Sequence, residues 1–272
     1  MDKLKAILKT IILGVIMLAF ILSSSFIAKA LKLSDARTYL FQGGFILLGI
    51  IVPILYCCSK NCVYSDFGFN KQTKKEFKTL LFYIPLILCL IPLIALFDKS
   101  GSKKIMLMSL FYYGCVALST ELYFRGAIQK ILRGKTHIVF TFIYTAALLA
   151  ACCAFYVNHI TSYKQILVLI MGLAGLSGVL CVVIENKGNI IITGIIEWLF
   201  LFFATHIAGG KRMLLGIGLS CVVLLAYGLF ILFKYLKEHK PERKIESFEV
   251  NLENNENDGF DENDNIDLTS HD

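Results

Sequence analysis

Eight long apolar stretches, separated by short polar connections, run along the chain at roughly 7–28, 39–58, 80–97, 105–132, 137–160, 166–184, 190–208 and 213–233. A stretch of about 20 apolar residues in helical conformation spans the ~30 Å hydrocarbon core of a bilayer, so each reads as a transmembrane helix. The first has Lys3, Lys5 and Lys9 before or within it and Ala28-Lys29-Ala30 at its end, which imitates a signal peptide with an A-x-A cleavage site. Its length and the spans that follow favour a first helix that stays on the chain. The pattern predicts an all-α, polytopic membrane protein with about eight transmembrane helices.

Composition agrees: 57% of the residues are hydrophobic and 17% charged, and the mean hydropathy is +0.69, too apolar for a soluble domain of this size. The formal net charge is +7 over 272 residues, although the segment 245–272 carries ten acids and neither Lys nor Arg. With the N-terminus inside, the inner connections and tail hold 17 Lys and Arg and the outer connections 9. Both termini are therefore predicted to be cytoplasmic, in the cell membrane, and the bases need no nucleic-acid partner. The segment 61–78 mixes Lys, Asp, Glu and Asn with Phe67 and Phe69, which fits either a helix lying along the inner interface or a solvated loop. Basic residues 234–244 suit anionic headgroups, and the Asn/Asp/Glu-rich end predicts disorder. The nine cysteines lie mostly inside apolar stretches, and Cys58 and Cys62, four residues apart, have no adjacent His to build a metal site.

Against this background a few polar residues at membrane depth stand out. Thr120-Glu121-Leu122-Tyr123-Phe124-Arg125-Gly126 puts a carboxylate and a guanidinium in a run that is otherwise apolar from Ile105 to Leu132. A charge at bilayer depth costs at least ~2.5–3.5 kcal/mol on insertion scales, so such residues face a protein interior or a wet cavity and pair. Glu121 and Arg125 have the i, i+4 spacing of a helical ion pair, which fits a structural salt bridge as well as the border of a reaction site. Phe155-Tyr156-Val157-Asn158-His159 ends the fifth stretch. Glu197, followed by the single tryptophan Trp198, lies inside the seventh and needs a partner, for which Glu121 or Arg125 is the candidate.

These residues carry a resemblance. TELYFRG is similar to the EExxxR signature, usually EExxFRG, of the CAAX-protease and bacteriocin-processing (CPBP) family of intramembrane proteases. Phe155 to His159 matches its FxxxH motif. Gly188-Asn189-Ile190, then Glu197 and Leu201, stand where the family usually has a Gly-Ser-Ile turn followed by a His and an Asn four residues apart. The resemblance covers about residues 80–208 and implies a CAAX-protease-like bundle. It divides the chain into 1–79 (two helices and the inner loop), the core 80–208, 209–244 (last helix and basic segment) and the tail 245–272.

In the family the first Glu of EExxxR and the FxxxH His activate a water, and the later His and Asn stabilise the oxyanion. Carried over, the second Glu is Glu121, the Arg is Arg125 and the activating His is His159. The first Glu falls on Thr120, the oxyanion His on Glu197 and its Asn on Leu201. A threonine hydroxyl is no general base at neutral pH, and losing a positioned base removes a factor of about 10²–10⁴ in rate. A carboxylate at the oxyanion position repels the charge to be stabilised, where removal of one donor already costs about 10²–10³. His206 lies nine residues past Glu197 and does not replace the missing group.

The resemblance with these departures implies a degenerate member that acts by binding a membrane peptide or protein, as a membrane scaffold or in bacteriocin self-immunity. A working endopeptidase with Glu121 or Glu197 as base and His159 assisting is the alternative, and a divalent metal is the candidate cofactor if the chain is active. A proton-coupled transporter using the intramembrane Glu/Arg/Glu set is the third class. In the predicted topology Glu121 and Glu197 lie in the inner half of the membrane and His159 near the outer end of its helix. Either that helix is kinked or shifted, or His159 belongs to another place.

Overall fold

The computed structural model of the protein describes residues 2–59, 68–69, 83–153, 163–186, 188–207 and 210–238. Residues 1–235 form one compact unit. The FxxxH stretch with His159, the segment 61–67 and 70–78, and the acidic end after Glu238 lie outside the described residues.

Among the described residues the regular structure is helical, apart from one isolated antiparallel bridge between Phe97 and Ile207. The order is α1 (Asp2–Ala30), α2 (Asp35–Gly49), α3 (Ile51–Cys58), α4 (Ile84–Leu88), α5 (Ile91–Ala95), α6 (Lys103–Glu121), a π-helix (Leu122–Ile128), α7 (Gln129–Leu132), α8 (Ile138–Cys153), α9 (Tyr163–Glu185), α10 (Ile190–Thr205) and α11 (Gly210–Glu238). Among the described residues, five stretches are long and apolar enough to cross a membrane: Lys3–Ala30, Asp35–Cys58, Lys103–Leu132, Tyr163–Glu185 and Gly210–Glu238. Ile84–Ala95, Ile138–Cys152 and Ile190–Thr205 are apolar but shorter. The 16 residues of α10 reach about 24 Å at 1.5 Å per residue, short of the ~30 Å hydrocarbon core. Exposed Leu, Ile, Val and Phe side chains along α1 and α11 have the character of a lipid-facing surface, as a helical membrane protein requires.

Prolines decide where two of the apolar stretches break. Pro92 has no N–H for the Leu88 carbonyl, and the helix interrupts at Cys89–Leu90 between α4 and α5. Pro53 does the same to the Gly49 carbonyl, where α2 gives way to α3. That freed carbonyl is not left bare, because the Tyr123 hydroxyl donates to it at 2.8 Å. The rod made of α6, the π-helix and α7 packs against α1, α2, α3, α8 and α10. Every residue from Ser119 to Gln129 is buried. The polar motif thus lies in a continuously buried stretch surrounded by other helices.

The break at Pro53 and the Tyr123 hydroxyl should prove coupled. Tyr123→Phe leaves the Gly49 carbonyl unsatisfied and is expected to destabilise by about 1–3 kcal/mol, read as a lower melting temperature in detergent. In a Pro53→Ala background, where the substituted residue can supply the backbone N–H, the same change should cost clearly less. Equal losses in both backgrounds would show that the hydroxyl does not stand in for the missing backbone donor.

Candidate functional site

Thr120 and Glu121 close α6, and the helix then widens into a π-helical segment carrying Leu122 to Ile128. Single π turns inside α-helices occur frequently at functional sites, since they re-aim side chains without ending the helix. On the facing side, α10 is started by Asn189, whose side chain accepts the Ile191 N–H at 2.8 Å while its own N–H donates to the Tyr83 hydroxyl at 2.7 Å. A serine at this position would cap in the same way. Gly188 is required at the turn before it: a Cβ there would lie 2.7 Å from the Val183 carbonyl oxygen. On α6, Gly114 leaves room for the Trp198 ring, and the indole N–H donates to the Leu110 carbonyl at 2.8 Å. The two helices approach closely, and Thr193 and Glu197, one turn apart on α10, meet Thr120 and Glu121.

The contacts are specific. The Thr120 hydroxyl donates to Glu197 Oε1 at 2.7 Å, and the Thr193 hydroxyl donates to Glu121 Oε2 at 2.6 Å. Arg125 Nε lies 3.4 Å from Glu121 Oε1, with both side chains buried. The Glu197 carboxyl lies within electrostatic range of the Glu121 carboxyl and the Arg125 guanidinium. Two acids, one guanidinium and two hydroxyls therefore make a single buried cluster. With both acids ionised, the cluster would hold two negative charges against one positive. Among the described residues, Glu121 Oε1, Glu197 Oε2 and all three guanidinium nitrogens of Arg125 have no hydrogen-bond partner.

Three of the four residues singled out in the sequence, Glu121, Arg125 and Glu197, thus come together, and the fourth, His159, lies outside the described residues. The hydrogen bond that Glu197 receives comes from Thr120, and the ion pair of Arg125 is with Glu121. Leu201 is buried and offers no polar group to the cluster. Thr193 was not singled out from the sequence, although a polar residue one helical turn before Glu197 in an apolar run was the available signal.

Among the polar ties away from the cluster, two flank it along the rod of α6, the π-helix and α7. At one end Gln129 donates to the Cys181 carbonyl at 2.9 Å and to Glu185 at 2.7 Å, and Arg133 pairs with Glu185 at 3.1 Å. At the other, His206 sits between Ser109 Oγ at 3.0 Å and the Phe202 carbonyl at 2.9 Å, against the rings of Tyr113 and Phe97. His206 is a brace between α6 and α10. Among the described residues no group of three His, Cys, Asp or Glu could hold a metal ion.

No protein-family model, no curated protein and no solved structure matches the chain.

The Glu121–Arg125 pair should matter for folding. Arg125→Ala leaves a buried carboxylate uncompensated and is expected to destabilise by ~3–5 kcal/mol. Its detergent melting temperature should fall far below that of Lys103→Ala, whose side chain is exposed. Similar melting temperatures for the two variants would mean that Arg125 reaches the membrane interface instead of pairing.

Proposed function

We propose that the chain is a CPBP-type intramembrane protein whose proteolytic site has become a closed polar clamp, and that it works by binding a membrane peptide or protein, as a scaffold or in bacteriocin self-immunity. One observation carries this reading. The Thr120 hydroxyl and the Glu197 carboxyl, at the positions where the family's motif has the water-activating Glu and the oxyanion His, hydrogen-bond each other at 2.7 Å inside the protein. Groups engaged with each other in this way are not presented to a substrate carbonyl. A carboxylate in that place opposes oxyanion formation, and Leu201 has no donor to offset it.

In this reading the three shorter apolar helices also cross or enter the bilayer, which gives eight spans with both termini cytoplasmic in the cell membrane. The 17 to 9 division of basic residues supports that orientation. A reporter fused at Asp272 should report the inside and one inserted in the Asp98–Lys104 loop the outside. The reverse result would invert the topology.

Reconstituted wild-type protein should leave membrane-associated peptides, prenylated ones included, intact when the products are read by mass spectrometry. Cleavage that disappears in His159→Ala would overturn the proposal in favour of a working endopeptidase. Thr120→Glu alone should not produce cleavage, because Glu197 and Leu201 still fail the oxyanion. The triple variant Thr120→Glu, Glu197→His, Leu201→Asn should cleave more than any single one, since catalytic groups that act as a unit are strongly non-additive. Proton-coupled solute flux into proteoliposomes, abolished by Glu197→Gln, would instead support transport through the Glu/Arg/Glu set.

A further inference from the structure

The connection between α1 and α2 holds the one non-glycine residue with positive φ among the described residues, Lys32 at +48°. It ends α1 in a complete Schellman arrangement: the Lys32 N–H donates to the Lys29 carbonyl at 3.0 Å and the Leu33 N–H to the Ala28 carbonyl at 3.2 Å. This position ordinarily belongs to glycine, because a Cβ makes left-handed backbone unfavourable. A lysine kept there at a conformational cost points to a use for its side chain, since strained backbone persists where the strained residue has a task.

The surroundings indicate what the task is. A cavity of about 310 Å³ opens at this turn, lined by Lys29, Lys32, Asp35, Thr38, Ser25 and Gln42 among others. Gln42 is buried and donates to Ser25 at 3.2 Å, which fixes the floor. Lys29, Lys32 and Asp35 are exposed around the rim, and none of them takes part in an ion pair among the described residues. Two ammonium groups and a carboxylate therefore border one polar cavity without neutralising each other. The turn joins two helices long and apolar enough to cross a membrane, so the cavity stands at the depth where lipid headgroups begin. Exposed Phe26, Leu31 and Leu40 beside it offer an apolar surface to acyl chains.

We infer that this cavity is a lipid site for a phospholipid headgroup that carries both a phosphate and a primary amine, the phosphate taken by Lys29 and Lys32 and the amine by Asp35. A purely anionic headgroup would use the lysines but meet Asp35 as a like charge. A choline headgroup has the charge but no N–H to donate to the carboxylate, and charge-assisted hydrogen bonds are the stronger kind. The inference is independent of the buried Glu/Arg cluster and stands or falls separately from it.

Native mass spectrometry of the full chain tests it, with phosphatidylethanolamine, phosphatidylcholine and phosphatidylglycerol of identical acyl chains as probes. Wild type should retain phosphatidylethanolamine in preference to the other two. Lys32→Gly should lower that retention about fivefold, the contribution of one interfacial lysine, while the detergent melting temperature holds or rises, because glycine suits the left-handed turn. Asp35→Asn should erase the preference over phosphatidylcholine and increase retention of phosphatidylglycerol. Equal retention of phosphatidylethanolamine and phosphatidylcholine by wild type would refute the site. So would a loss of lipid in Lys32→Gly that only follows a fall in melting temperature, which would make the lysine structural. Displacement of the lipid by inorganic phosphate would make the cavity a soluble-anion site and likewise overturn the lipid assignment.

Discussion

Two carboxylates and a guanidinium inside an apolar helical bundle are the constraint around which the rest of the molecule is arranged. Uncompensated buried charge costs several kcal/mol, so Glu121, Arg125 and Glu197 are tolerated there only when the helices bring opposite charges together and give the acids hydrogen-bond donors. The hydroxyls of Thr120 and Thr193 give each acid one hydrogen bond. Burial of every residue from Ser119 to Gln129 keeps bulk water from competing. The close approach of α6 and α10, permitted by Gly114 under Trp198, is what places the two pairs opposite each other.

The same logic holds where backbone groups lose their partners. Pro53 deprives the Gly49 carbonyl of its helical donor, and a residue of the central motif, Tyr123, supplies one from another helix. A proline in an apolar helix thereby becomes a point of attachment instead of a defect. Two further polar ties flank the cluster along the central rod, Gln129 and Arg133 with Glu185 on one side and His206 with Ser109 on the other. They brace α7 to α9 and α6 to α10, and so hold the central charges in register.

For function, the decisive matter is whom each polar group faces. On the proposed CPBP reading, a threonine at the position of the family's water-activating glutamate could have been a neutral loss with the rest of the site still open. The Thr120 hydroxyl is instead bound to the Glu197 carboxylate, which the proposed reading puts at the oxyanion position, so on that reading the two act together. On the proposed reading that mutual engagement favours a binding role over turnover and couples the two positions, so that no single reversal would open the site.

Much of this was determined by the sequence alone. Apolar stretches of the right length announce membrane helices because their length and composition are local properties, and five of the eight have the length and hydropathy to cross. The cost of burying charge was enough to single out Glu121, Arg125 and Glu197, since a carboxylate in an apolar run must have a partner. The i, i+4 spacing identified one pair, as spacing can within a single helix. What only the tertiary structure decided was everything between helices: that Thr120, 77 residues away along the chain, is the donor to Glu197, that Thr193 serves Glu121, and that Tyr123 replaces the donor Pro53 lacks. Such contacts depend on helix rotation and on the widened turn at Leu122–Ile128, and no periodicity within one stretch encodes them. The same holds for Lys32, an ordinary basic residue in the sequence, whose left-handed backbone and position over a cavity arise only when α1 ends and α2 folds back beside it.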